Sequence, residues 1–166
     1  MTMDLASYLN ARDVDASTLV EALEGSLASF TQGKTIEKMR AELIETTGDR
    51  AYVDRLTTEL ENHPAELEMA ALAVLPQVWA QSEHRPMVER AIEAAESKLA
   101  VLELSILALV SMYSAYLIAT GGIEEVEEEL AKQPDGRWTI VKRRIKMHNP
   151  GSPFKALIDL VKGGRS

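Results

Sequence analysis

Apolar residues recur at helical spacing along most of the chain. Leu19, Val20, Leu23, Leu27 and Phe30 follow a Thr18-x-x-Glu21 capping box, and the stretch stops near Gln32-Gly33. Ile36, Met39, Leu43 and Ile44 share one face of a second helix over about 35–46, with Gly48 as its stop. Asp49 can cap a third, carrying Tyr52, Val53, Leu56 and Leu60, which ends before Pro64 because proline disfavours helical geometry at His63. A more apolar fourth helix, about 65–81, holds Leu67, Ala70, Ala71, Val74, Leu75, Val78 and Trp79, and Pro76 is expected to kink it. Trp79 beside Pro76 reads as packing. Short amphipathic helices in close succession need one another's surfaces, so this pattern predicts a small antiparallel bundle.

The fifth segment breaks the pattern. Pro86 suits a first helical turn, and from Met87 to Glu96 the helix is amphipathic, with Glu89, Glu93 and Glu96 on its solvated face. From Leu99 to Ala119 it is apolar around its whole circumference, with Glu103 as the one charge. Unbroken from Pro86 to Thr120, it would be about 50 Å long. A compact chain of this length has a diameter near ~40 Å. The expectation is therefore a long apolar fifth helix that is sheathed by the others, seals an oligomer, or crosses a membrane. Residues 99–119 are long enough to span hydrocarbon, and Ala108, Ser111, Ser114 and Ala115 would allow close helix contacts there. Glu103, Tyr113 and Tyr116 are the candidate buried or intramembrane polar groups, each needing a partner in either setting.

After Gly121-Gly122 an acidic run, Glu124–Glu129, meets a basic one across Pro134-Asp135-Gly136, a turn sequence. Trp138 to Met147 is rich in β-branched residues and reads as a strand. Residues 123–133 suit either a strand or a short helix; the strand is preferred, giving a charged hairpin in which Glu124–Glu129 would face Lys142–Lys146. A terminal amphipathic helix follows, with Phe154, Leu157, Ile158 and Val161. The fold expected is mainly α: a small helical bundle with a long apolar fifth helix, then a charged C-terminal β-hairpin and short terminal helix. Three regions follow from this texture: 1–97, an acidic amphipathic bundle; 98–122, the apolar helix; and 123–166, the charged hairpin and basic tail.

Charge sharpens that division. Of the 166 residues, 1–97 include 18 acidic and eight basic side chains, and 134–166 two acidic and eight basic. The acidic body argues against nucleic acid as the partner, whereas the tail can meet an acidic partner or an anionic membrane. Cys is absent, which removes disulfides and fits a reducing compartment. The first residues contain neither a basic n-region nor a long apolar run, so no secretory signal is expected. The placement expected is cytoplasmic, with membrane association as the alternative.

Candidate chemistry is sparse. His63, His84 and His148 fall in predicted loops and read as solvated; no metal-binding spacing and no calcium loop is present. Gly121-Gly122 belongs to neither phosphate-binding glycine motif, and no serine sits in a nucleophile elbow. No catalytic residue, metal or cofactor is assigned. Arg137, Trp138, Lys142, Arg143 and Arg144 combine an aromatic ring with cations and are the candidate contacts for a partner or surface. The alternative is that these cations neutralise the acidic arm of the hairpin. The function expected is non-enzymatic: a helical adaptor or regulatory protein that binds a protein partner or copies of itself. The competing expectation is an anchor or pore-type effector inserting residues 99–119, analogous in design to accessory proteins of bacterial conflict systems.

Overall fold

The computed structural model describes residues 3–97, 103–142 and 145–163. Among them the chain forms eight α-helices, then a two-stranded antiparallel hairpin, then a final helix. The helices are α1 (Leu5–Arg12), α2 (Ala16–Ser26), α3 (Ala28–Thr31), α4 (Ile36–Thr47), α5 (Arg50–Glu61), α6 (Pro64–Trp79), α7 (Arg85–Glu96), α8 (Leu104–Thr120) and α9 (Pro153–Gly163). The strands are β1 (Glu128–Lys132) and β2 (Trp138–Lys142).

Local chemistry explains most boundaries. Asp4, Asp15, Thr35 and Asp49 each accept a backbone N–H from the first turn of the helix they precede, satisfying donors that the helix itself leaves open. Asp15, rather than Thr18, is the cap of α2, because its carboxylate takes both the Thr18 N–H and the Thr18 hydroxyl. Gly48 ends α4 in the left-handed conformation (φ 69°), and its N–H closes on the Ile44 carbonyl. Pro64 opens α6, where its missing N–H costs nothing. α1 is an addition to the sequence reading; Leu5, Ala6 and Leu9 bury its inner face.

The long fifth helix is not formed. α7 ends at Glu96, and α8 begins at Leu104 after an extended Glu103 (φ −67°, ψ 149°) whose carbonyl accepts the Ile106 and Leu107 N–H groups. Residues 98–102 of the apolar run lie outside the described residues. Two shorter helices can each bury a face in a compact body, which a rod of about 50 Å cannot. Among the described residues, no helix is long and apolar enough to cross a membrane.

α8 is apolar all round because it has neighbours all round. It packs against α2, α4, α5, α6 and α9, and Ala108, Met112, Tyr113, Ser114 and Ala115 are 0–1% exposed. Ser111 and Ser114 return their hydroxyls to backbone carbonyls one turn back, which satisfies them without a partner helix. α2 forms a second layer between α6 and α7, and α9 closes on α8 with Phe154, Leu157, Ile158 and Val161.

The hairpin stands beside α6 and α1, β1 against the former and β2 against the latter. Its register pairs Glu128 with Lys142, Leu130 with Ile140 and Lys132 with Trp138. The turn is closed by Gly136 (φ 88°), whose N–H reaches the Gln133 carbonyl at 2.8 Å. The expected ladder of Glu124–Glu129 against Lys142–Lys146 is reduced to the pair Glu128 and Lys142, since Glu124–Glu127 precede the strand. Glu125 meets His148 at 2.6 Å, and Glu129, 2% exposed, accepts the Lys146 N–H at 3.0 Å.

Candidate functional site

The hairpin has two outer edges, and a side-chain amide meets each in part. Asn10 of α1 binds the outward groups of Trp138 as a neighbouring strand would: it accepts the Trp138 N–H at 2.7 Å and donates to the Trp138 carbonyl at 2.9 Å. Gln77 of α6, fully buried, does the same for β1: it accepts the Val126 N–H at 2.6 Å and donates to the Glu128 carbonyl at 2.7 Å. Two side-chain amides, one on each flank, thus replace strands that the sheet lacks.

Those bonds follow the parity of the ladder. Main-chain groups of alternate residues in an antiparallel pair point outward. Trp138 faces out, so Ile140 and Lys142 face out as well, while Thr139 and Val141 pair inward with Ala131 and Glu129. The Gln133 N–H to Arg137 carbonyl bond at 2.8 Å fits the same alternation. Asn10 covers the edge only at Trp138. Among the described residues, the N–H and C=O groups of Ile140 and Lys142 have no hydrogen-bond partner; Ile140 is half-buried and Lys142 is exposed.

The candidate contact residues separate on this frame. Trp138 is 3% exposed and donates its indole N–H to the Val14 carbonyl at 2.8 Å. With Lys132 5.3 Å above its ring, it anchors the hairpin to α1 and is no exposed stacking platform. Arg137 and Lys142 are exposed and have no ion-pair partner among the described residues. Arg143 and Arg144 lie outside the described residues.

A second polar cluster surrounds α8. Glu42 Oε2 lies 2.6 Å from Lys34 Nζ and accepts the Tyr113 hydroxyl at 2.9 Å, while Oε1 accepts the Tyr116 hydroxyl at 2.7 Å. Lys34 also donates to the Tyr113 oxygen at 2.9 Å, and the two tyrosine rings lie 5.2 Å apart. Burial pushes the Glu42 carboxyl up, but hydrogen bonds from Lys34, Tyr116 and Tyr113 outweigh it and hold the group below its ordinary value. The Glu42 hydrogen bond holds Lys34 above its ordinary value, and burial raises both tyrosines. Tyr113 and Tyr116 thereby obtain the partners that the sequence reading required, from α4 and its N-terminal approach. Glu103 differs: it is exposed at the start of α8, where a carboxylate is solvated and complements the helix dipole.

This cluster forms one wall of a wide, open recess of about 1100 Å³ that also reaches Lys38, Glu45, Thr46 and Thr120. Within the cluster Lys34, Glu42, Tyr113 and Tyr116 satisfy one another. The histidines are not simply solvated. His84 meets the Ser29 hydroxyl at 3.0 Å and packs against the Phe30 ring at a tilt of 46°, and His63 contacts the Glu59 carbonyl at 2.7 Å. Among the described residues, no three His, Asp or Glu side chains converge as a metal site. Asn10, Gln77, Lys34 and Glu42 were invisible to the sequence reading, because their long-range partners lie 49 to 128 residues away in the chain. Comparison with known protein families, characterised proteins and solved structures gives no match.

Proposed function

We propose that this chain is a non-enzymatic helical adaptor or regulatory protein whose C-terminal hairpin recognises a protein partner. The observation that carries this reading is the unfinished edge of β2. On β2 the Asn10 amide meets Trp138 alone, whereas the N–H and C=O groups of Ile140 and Lys142 have no hydrogen-bond partner among the described residues. A soluble fold ordinarily blunts such an edge, and one left open is a template for another chain. The polar cluster on α8 supports the same reading, since its groups are engaged in holding α4 against α8.

No observation favours the membrane-inserting alternative: the described part of the apolar run, 103–119, is an exposed Glu103 followed by a helix surrounded by five others. The test is site-specific photo-crosslinking in the expressing cell. A crosslinker at Ile140 should give a discrete protein adduct that is absent from the same group placed at exposed Glu59 on α5. Equal labelling from both positions, or none from either, would refute the proposal.

A further inference from the structure

We infer that the partner segment is an acidic, extended peptide that adds to the β2 edge as a third strand; this rests on the hairpin-recognition reading above. Four main-chain groups, the N–H and C=O of Ile140 and of Lys142, alternate along the open edge. Alternating donors and acceptors at a two-residue interval match the backbone of an extended peptide. A phosphate backbone offers acceptors only, so it leaves both carbonyls unpaired.

Charge chooses among peptides. Lys142 lies on the open edge, exposed and without an ion-pair partner among the described residues, Glu128 standing opposite it in the register without forming an ion pair. A carboxylate on the incoming strand would supply that partner. A second copy of this hairpin fits badly. Its β2 would bring a second Lys142 to the same edge, and like charges in cross-strand proximity are destabilising. The site is also bounded: Asn10 occupies the edge at Trp138, so an added strand pairs from Ile140 outward and its side-chain preference is set over a few residues.

The experiment uses the full chain and a fluorescein-labelled, acetylated peptide of alternating Glu and Val, seven residues long, with an alternating Lys and Val peptide as counterpart. Binding is followed by anisotropy and by amide shifts of Ile140 and Lys142. The acidic peptide should bind, the basic one should not, and raising salt should weaken the complex. Strand addition uses only alternate amides of the peptide. N-methylating all its Glu residues, or all its Val residues, should therefore abolish binding in one case and spare it in the other.

On the protein, Lys142→Pro removes an edge donor without touching a ladder bond, and should weaken binding about tenfold. Lys142→Glu keeps that donor and should shift preference toward the basic peptide, which keeps the inference testable if the proline variant folds poorly. Binding that ignores both methylation patterns, equal affinity for a single-stranded oligonucleotide, self-association that Lys142→Pro dissolves, or no binding at about millimolar peptide would each overturn the inference. A crosslink from Ile140 that persists beside any of these results leaves hairpin recognition standing and removes only the acidic strand; loss of both removes the function as well.

Discussion

Replacing Gln77 by Leu tests whether a single side-chain amide holds the hairpin against α6. Leu has nearly the same volume and suits a position that is 0% exposed, so packing is kept while the amide is lost. The Val126 N–H and the Glu128 carbonyl then have no partner; the Ala73 carbonyl, which Gln77 also touches at 3.1 Å, keeps its place in the helix ladder. An unsatisfied buried group costs about 1–3 kcal/mol. Val126 and Glu128 are only half-buried, so water recovers part of this, and burying an apolar side chain offsets a little more. The expected net loss is about 2 kcal/mol, equivalent to about 4–8 °C in Tm for a chain of this size. Urea unfolding followed by circular dichroism should show a lower midpoint with an unchanged slope, and exchange of the Val126 amide should accelerate. Asn10→Ala, at a half-exposed position, should cost less, about 1 kcal/mol. A Gln77→Leu variant within about 0.5 kcal/mol of the parent would sink the argument, since the amide would then be tolerated rather than used.

Three further outcomes are expected. Glu42 has a lowered folded pKa, so its contribution is present above its ordinary value of 4.5 and fades as pH falls through the folded value; Glu42→Gln should flatten that acid limb in a series of unfolding curves. All four tyrosines titrate above their ordinary value of 10.0, with burial as the leading cause. Native phenolate absorbance should therefore rise at higher pH than in the urea-unfolded chain, and stability should decline as pH climbs past that value. A Cβ on Gly25 would lie 2.9 Å from the Ala91 Cβ where α2 crosses α7. Gly25→Ala should thus destabilise by about 1–3 kcal/mol despite its better helix propensity, and Ala91→Gly should restore most of the loss in a double-mutant cycle.

What the sequence determined by itself was whatever neighbours in the chain decide. Gly48, Asp49 and Pro64 bound α4, α5 and α6 because capping and proline geometry act within one turn. Pro134-Asp135-Gly136 placed the hairpin for the same reason, and the spacing of Phe154, Leu157, Ile158 and Val161 marked α9. α1 was legible too, in Asp4 as a cap ahead of Leu5 and Leu9. The all-round apolarity of α8 was equally plain. Its meaning was not, because lipid and a ring of five helices ask for the same side chains. Only the tertiary structure set five helices around α8, started it at Leu104 and left Glu103 exposed.

The candidate site shows the same division. Lys142 stood out by its charge, and Trp138 by its aromatic ring among cations. The turn, where the Gln133 N–H meets the Arg137 carbonyl, already sets which main-chain groups of β2 point outward. That Trp138 is buried and its outward groups are met by Asn10, 128 residues away in the chain, while Lys142 is left exposed, was settled only by the helix packed beside the strand.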